Sequence, residues 1–108
     1  MRVNTGSAKG RRLISPKGNK IRPTSSRIKE ALFSIIGNKI NESIFLDGFS
    51  GTGNIGIEAL SRGASKCLFI ENHKESLSII KKNLSITNLL ENSLIINKSF
   101  IQGIKYVS

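Results

Sequence analysis

Three glycines spaced as Gly51-x-Gly53-x-x-Gly56 lie between two carboxylates, Asp47 four residues before the first glycine and Glu71 20 residues after it. Each residue type suits a nucleoside ligand. Glycines let a chain turn sharply and bring its backbone against a ligand with no Cβ in the way. The apolar run Ile44-Phe45-Leu46 leads into the glycines and an amphipathic stretch follows them, so the loop opens a helix whose first N–H groups are free to bind. Glu71 closes the next apolar run, Cys67-Leu68-Phe69-Ile70. A carboxylate there can accept hydrogen bonds from both ribose hydroxyls of a nucleoside cofactor.

As a bare pattern, these glycines plus Glu71 also match the dinucleotide-binding fingerprint. Asp47 separates the two readings. In dinucleotide folds the first glycine follows the strand almost directly and the helix start receives a pyrophosphate, which a carboxylate beside the loop would repel. A cationic ligand is favoured instead, and S-adenosylmethionine carries an ammonium and a sulfonium. The loop is therefore read as an S-adenosylmethionine site, with a dinucleotide-binding fragment as the alternative. A glycine turn without a ligand accounts poorly for two flanking acidic strand ends.

The elements that must position these groups follow from periodicity. Ile28, Ala31, Leu32, Ile35 and Ile36 form one apolar face of a helix. It starts after Pro23 and Thr24-Ser25-Ser26 and ends at Gly37-Asn38. Ile44–Leu46, Cys67–Ile70 and Leu94–Ile96 read as buried strands. Helices are predicted from Asn54 to Arg62, with Glu58 and Arg62 as a weak surface pair, and then with Leu77, Ile80 and Leu84 on one face. Asn72, with Glu75 three residues on, is the predicted cap of that second helix. Residues 100–107 open a further helix. Before all of these, Arg2-Val3 and Arg12-Leu13-Ile14 pair as a hairpin that needs a body to pack on. Apolar strands alternating with amphipathic helices indicate a parallel sheet with helices on both faces.

The chain has 108 residues, enough for one small domain. Its 38% hydrophobic content and mean hydropathy of −0.10 fit a soluble globular protein. No apolar stretch approaches the ~20 residues of a membrane helix, and the N-terminus carries no apolar signal core. One cysteine, Cys67, excludes a disulfide framework and a cysteine metal cluster, so a reducing, cytoplasmic setting is expected. Cys67 and the rings of Phe33 and Phe45 read as core, His73 as an exposed first-turn residue, and Tyr106 as a weak candidate for base stacking. The net charge of +10 is concentrated: Arg2, Lys9, Arg11, Arg12, Lys17, Lys20, Arg22, Arg27 and Lys29 fall within residues 1–29, which hold no Asp or Glu. Such a segment binds polyanions by releasing phosphate counterions.

The residues then converge on a family. Arg2-Val3, Gly6, Gly10-Arg11, Leu13 and Pro16, followed by Arg22-Pro23-Thr24, Arg27 and Glu30-Ala31-Leu32-Phe33, resemble the opening of the bacterial small-subunit (16S) ribosomal RNA guanine-N2 methyltransferases. Leu46-Asp47, Phe49, Gly51, Gly53, Gly56 and Glu58-Ala59-Leu60-Ser61-Arg62-Gly63-Ala64 resemble their cofactor motif and the helix after it. The resemblance spans about residues 2–104. It implies a Rossmann-like class I methyltransferase fold, S-adenosylmethionine as cofactor, and methyl transfer to the exocyclic amine of a guanine in small-subunit rRNA. It places Asp47, Phe49, Ser50, Gly51, Thr52, Gly53, Glu71, Asn72 and Ser99 at the cofactor. It places Arg2, Lys9, Arg11, Arg12, Lys17, Lys20, Arg22 and Arg27 against RNA. Residues 1–23 would be a basic RNA-binding extension and residues 24–108 a partial methyltransferase domain.

Two departures stand out. Ser99 occupies the position near the adenine ring where the family carries Asp or Asn. The family's catalytic Asp/Asn-Pro-Pro-aromatic motif is absent, because the two prolines, Pro16 and Pro23, are not adjacent. No catalytic residue is therefore assigned in this chain. The expectation is a truncated fold holding strands 1 to 3, with strand 1 as an open edge. Alone, it would bind the cofactor weakly and lack methyltransferase activity. A complementing C-terminal fragment is the expected partner if the chain is half of a split enzyme, and a non-catalytic RNA-binding remnant is the alternative.

Overall fold

A computed structural model describes residues 1–16, 25–48 and 50–108. The body is built from α1 (Ser26–Ile36), β1 (Ile44–Asp47), α2 (Asn54–Ser61), β2 (Lys66–Ile70), α3 (Lys74–Ile86), β3 (Ser93–Ile96) and α4 (Phe100–Val107), with short 3-10 turns at Gly37–Ile40 and Leu90–Asn92. The strands form one parallel sheet in the order β1-β2-β3. Among the described residues, three parallel strands alternating with helices give the expected Rossmann-like arrangement.

Helix packing alternates with the pleat. Cys67 and Phe69 point to one side of β2 and meet Gly56 of α2 so closely that a Cβ on Gly56 would overlap the Phe69 ring. Ile70 points to the other side, against Gly103 of α4. The core between α2, α3 and the sheet holds Ile57, Leu60, Cys67, Phe69, Ile80 and Leu84, joined from α1 by Phe33. At the N-terminus, Arg2 bridges Arg12 in the antiparallel sense and Val3 exchanges hydrogen bonds with Arg11 O and Gly10 N–H, so the predicted hairpin is present. Val3, Ala8 and Leu13 join the main core. At Gly6 the hairpin passes so close to the Ser61 carbonyl, with φ +95°, that a side chain there would collide with backbone.

Four expectations need correction. Of the α1 face of Ile28, Ala31, Leu32, Ile35 and Ile36, only Ile36 packs against the core; the rest is turned outward, with Ile28 60% and Ile35 84% exposed, and the helix buries Lys29 and Phe33 instead. The second correction supplies the reason. Glu58 and Arg62 are not a surface pair, because Glu58 is wholly buried. Its Oε1 accepts from Asn4 N–H (2.9 Å) and Lys29 Nζ (3.1 Å), and its Oε2 from Thr5 N–H (3.1 Å) and Arg62 Nε (2.8 Å). All four lone-pair directions of the carboxylate are used. Lys29 spends its remaining donors on Arg2 O and Asn54 Oδ1, both at 2.8 Å. Rotating α1 to bury its apolar stripe would strip Glu58 of its ammonium partner. Third, α3 begins at Lys74 with His73 at its cap, and Asn72 does not cap it. The His73 side chain makes no cap bond, and Glu71 Oε2 accepts the N–H of His73 itself at 3.0 Å. Fourth, the outer strands are not buried, with Ile44 of β1 69% and Leu94 of β3 47% exposed, whereas β1 lies at an open edge of the sheet as expected.

Burial by itself would raise the Glu58 pKa. The hydrogen bonds from Asn4, Arg62 and Lys29 and the Lys29 charge outweigh it and hold the carboxyl below its ordinary 4.5. The stabilisation from a depressed carboxyl is complete above the unfolded value and disappears as pH falls through the folded one. Urea unfolding should therefore show stability falling below about pH 4.5 in the native chain, with that part of the slope missing in Glu58→Gln. Glu58→Leu leaves the Lys29 ammonium buried with no counter-charge and should cost about 3–5 kcal/mol. Lys29→Met leaves Glu58 with Arg62 and two amides and should cost less, about 1–3 kcal/mol.

Candidate cofactor-binding site

The glycine loop sits at the C-terminal ends of β1 and β2, where a parallel sheet binds ligands. Gly51 and Gly53 both have positive φ, +54° and +81°, a conformation that a side chain makes costly. Among the described residues other than its chain neighbours, no atom lies within 4 Å of where a Cβ on Gly51 would be. Gly53 caps α2 and offers it no side chain.

Asp47 supplies what Gly53 lacks. Its Oδ2 accepts the Gly56 N–H at 3.2 Å, the bond that an N-cap side chain normally makes to the third helical residue. Its charge also lies at the positive end of the α2 dipole. The helix start thus already holds an anion, supplied by the chain itself. Glu71 grips the loop from the neighbouring strand. Its Oε1 accepts Gly51 N–H at 2.9 Å and its Oε2 accepts His73 N–H. One bond per oxygen leaves lone pairs on the Glu71 carboxylate for two further donors. The two carboxylates are thereby fixed by backbone amides on either side of the glycines. Two carboxylates anchored in this way can accept hydrogen bonds from paired hydroxyls and attract a positive charge.

The other proposed contacts divide. The Ser50 hydroxyl is buried and donates to Asp47 O (2.9 Å) and more weakly to Ile70 O (3.3 Å), tying the two strand ends together. Thr52 is buried on the far side of the loop, with Oγ1 3.7 Å from Met1 Sδ and accepting from Asn54 N–H. Both side chains are occupied inside the protein. Asn72 and His73 are exposed beside Glu71. Ser99 caps α4, accepting from Gln102 N–H at 3.4 Å. Next to it the Phe100 ring packs so closely on Gly48 that a Cβ there would meet it at 2.5 Å, which brings the start of α4 to the end of β1. Phe49 lies outside the described residues, as do Lys17, Lys20 and Arg22.

The basic residues are exposed around the hairpin. Lys9, Arg12 and Arg27 are exposed, Arg2 Nη1 donates to Gly10 O (3.1 Å), and Arg11 Nη1 reaches Ile86 O at the end of α3 (3.5 Å). Sequence reasoning missed Asn83 of α3 altogether. It is fully buried and bonded to both the hairpin and the glycine loop. Its only local signal is a polar residue among the apolar positions of an amphipathic helix.

A family model described as conserved hypothetical protein 95 matches residues 1–107. The chain belongs to that family. The resemblance to ribosomal RNA methyltransferases is borne out by curated relatives. The Haemophilus influenzae protein named ribosomal RNA small subunit methyltransferase D is 39% identical over 106 residues, which are 97% of this chain and 55% of the relative. The Escherichia coli protein of the same name is 36% identical over 85 residues, 79% of this chain and 43% of the relative. Among solved structures, yhhF of Escherichia coli superposes with a TM-score of 0.82 at 31% identity, covering 94% of this chain and 54% of that one. The Thermus protein TTHA0928 superposes at 0.87 with 27% identity, covering 99% and 60%. The chain spans about half the length of the curated relatives it matches.

Burial pushes the Cys67 thiol pKa far up, and the Asp47 charge adds to the rise. Only the thiolate is reactive, so a disulfide reagent at pH 8 should leave Cys67 unlabelled in the folded protein and modify it fully in urea. Gly56→Ala should cost at least the 1–3 kcal/mol of an overpacked core, measurable as a lowered urea midpoint.

Proposed function

We propose that this chain carries the S-adenosylmethionine-binding and RNA-contacting part of an rRNA methyltransferase that acts on the exocyclic N2 amine of a guanine in small-subunit rRNA. One observation carries the cofactor half of this reading: Asp47 and Glu71, at adjacent strand ends, are each anchored by backbone amides on either side of a positive-φ glycine loop. Asp47 already holds the start of α2, so a pyrophosphate there would meet a carboxylate, and a dinucleotide is disfavoured. Glu71 would accept hydrogen bonds from the ribose hydroxyls, and Asp47 would supply negative potential for the ligand's cationic groups. The bound cofactor would supply the methyl group on its sulfonium. The names of the relatives support the rRNA substrate, and the guanine-N2 assignment rests on the resemblance. The basic hairpin, residues 1–23 as a unit, would meet RNA phosphates, in the cytoplasm where ribosomes are made.

With Pro16 and Pro23 its only prolines, the chain lacks the Pro-Pro-aromatic group that grips the target amine in the resembling family. The proposal therefore assigns it binding without turnover, with activity requiring the part of the relatives that it does not match. Calorimetry with S-adenosylmethionine should show weak binding to the 108-residue chain, lost by tenfold or more in Asp47→Ala, and no binding of NAD. Binding of NAD in place of S-adenosylmethionine would overturn the cofactor assignment. Methyl transfer to isolated small subunits by this chain alone would overturn the division of labour. RNA affinity should fall linearly in log–log form with salt, and the double variant Lys9→Ala/Arg12→Ala should reduce that slope by about 1–2. RNA binding with no cofactor affinity at all would instead indicate a non-catalytic RNA-binding remnant.

A further inference from the structure

The basic hairpin and the glycine loop are bolted together from behind by buried side chains that touch neither ligand surface. Asn83 is the principal bolt. Its Oδ1 accepts Ile14 N–H at 2.7 Å and its Nδ2 donates back to Ile14 O at 3.1 Å, so the amide pairs with the hairpin's second strand as a neighbouring strand would. The same Nδ2 donates to Thr52 O at 3.0 Å, between Gly51 and Gly53. A second connection runs through Lys29, which joins Arg2 O on the first hairpin strand to Asn54 Oδ1 at the end of the loop. A third is the Thr52 hydroxyl against Met1 Sδ. The outer side of the hairpin carries exposed Lys9 and Arg12, and the outer side of the loop carries Gly51 and Glu71.

We propose that Asn83 is a positioning residue that makes the hairpin and the glycine loop one mechanical unit, so that RNA contact at the hairpin and cofactor binding at the loop strengthen each other. This rests on the two-ligand reading above. The Asn83–Thr52 bond is buried and the two bonds to Ile14 are part-buried, so a shift of the hairpin strand leaves the buried Asn83 amide short of partners that water only partly replaces. A ligand that holds either side in place therefore reduces the ordering that the other ligand must impose, which is positive coupling. By linkage the factor is the same in both directions.

The experiment compares the native chain, Asn83→Leu, Ile14→Pro and Leu84→Ala. Ile14→Pro removes the N–H that Asn83 accepts, at an exposed position, and also fixes φ there. Leu84→Ala hollows the core on the same helix without touching the clamp. Two readouts are used. Amide exchange at Gly51 and Gly53, taken relative to β2 amides, should be about tenfold faster in Asn83→Leu and unchanged in Leu84→Ala. The dissociation constant of S-adenosylmethionine, measured with and without a small-subunit rRNA fragment, should improve about fivefold or more with RNA in the native chain and in Leu84→Ala. In Asn83→Leu and Ile14→Pro that ratio should collapse toward one.

If both ligands bind but the native ratio is one, or if Ile14→Pro keeps it, the coupling is refuted while the functional reading stands. If Asn83→Leu does not fold, Ile14→Pro decides. If S-adenosylmethionine does not bind the native chain, the functional reading fails, and the exchange data alone then decide whether Asn83 positions the loop.

Discussion

The structure turns on one buried carboxylate. Glu58 lies on α2 with no access to water, and a charge in that setting is tolerated only when its hydrogen-bonding capacity is filled and a counter-charge is present. Its four partners come from the hairpin, from α1 and from the next turn of its own helix. Apolar contacts alone would let the N-terminal segment slide over the body with little change in buried area. Four directed bonds to one carboxylate do not. Arg62 extends the constraint outward, with its guanidinium 4.8 Å above the Phe33 ring and an Nη2 3.0 Å from Glu30.

That constraint explains the orientation of α1. Burying a large aliphatic side chain is worth roughly 1.5–3 kcal/mol, so the stripe of Ile28, Leu32 and Ile35 has a real claim on the core. The opposing claim is the Phe33 ring together with an ammonium whose loss would take from the buried Glu58 carboxylate one hydrogen bond and one of its two counter-charges. Both sets cannot face inward on one helix, and the set containing the ion pair does. The apolar stripe is left uncovered among the described residues, as are Ile44 and Ile101 near the β1 edge and α4.

The order of elements, the parallel sheet, the hairpin and the glycine loop with its two carboxylates were all readable from periodicity and spacing, because each is written in neighbouring residues. What was not readable depends on partners far apart in sequence. Glu58 meets Asn4, 54 positions away, and Asn83 meets Ile14, 69 positions away. Spacing within a helix gives Glu58 only Arg62 as a neighbour, so the pair looks like a surface pair. One signal pointed the other way: the helix Asn54-Ile55-Gly56-Ile57-Glu58-Ala59-Leu60-Ser61 is apolar on nearly every side, which marks a buried helix and makes an acidic residue in it conspicuous. Asn72 failed as a cap for a related reason. A pattern rule cannot see that Glu71, needed at the loop, also reaches His73 N–H.

The same economy defines the site. Asp47 was read as a residue that selects the ligand's charge, and its bond to Gly56 N–H shows that it is first the cap of α2. These roles do not compete. A carboxylate with one oxygen committed to the helix start remains an anion at the mouth of the loop, and it is more rigidly placed for being so. Glu71 is held in the same way by Gly51 and His73. Neither carboxylate depends on what lies beyond the open side of β1, since each is fixed by amides of the loop or of the turn that follows it. The carboxylate pair is therefore self-supporting at the sheet edge, and the exposed apolar surface of β1 can be uncovered without displacing the groups proposed to recognise the ligand.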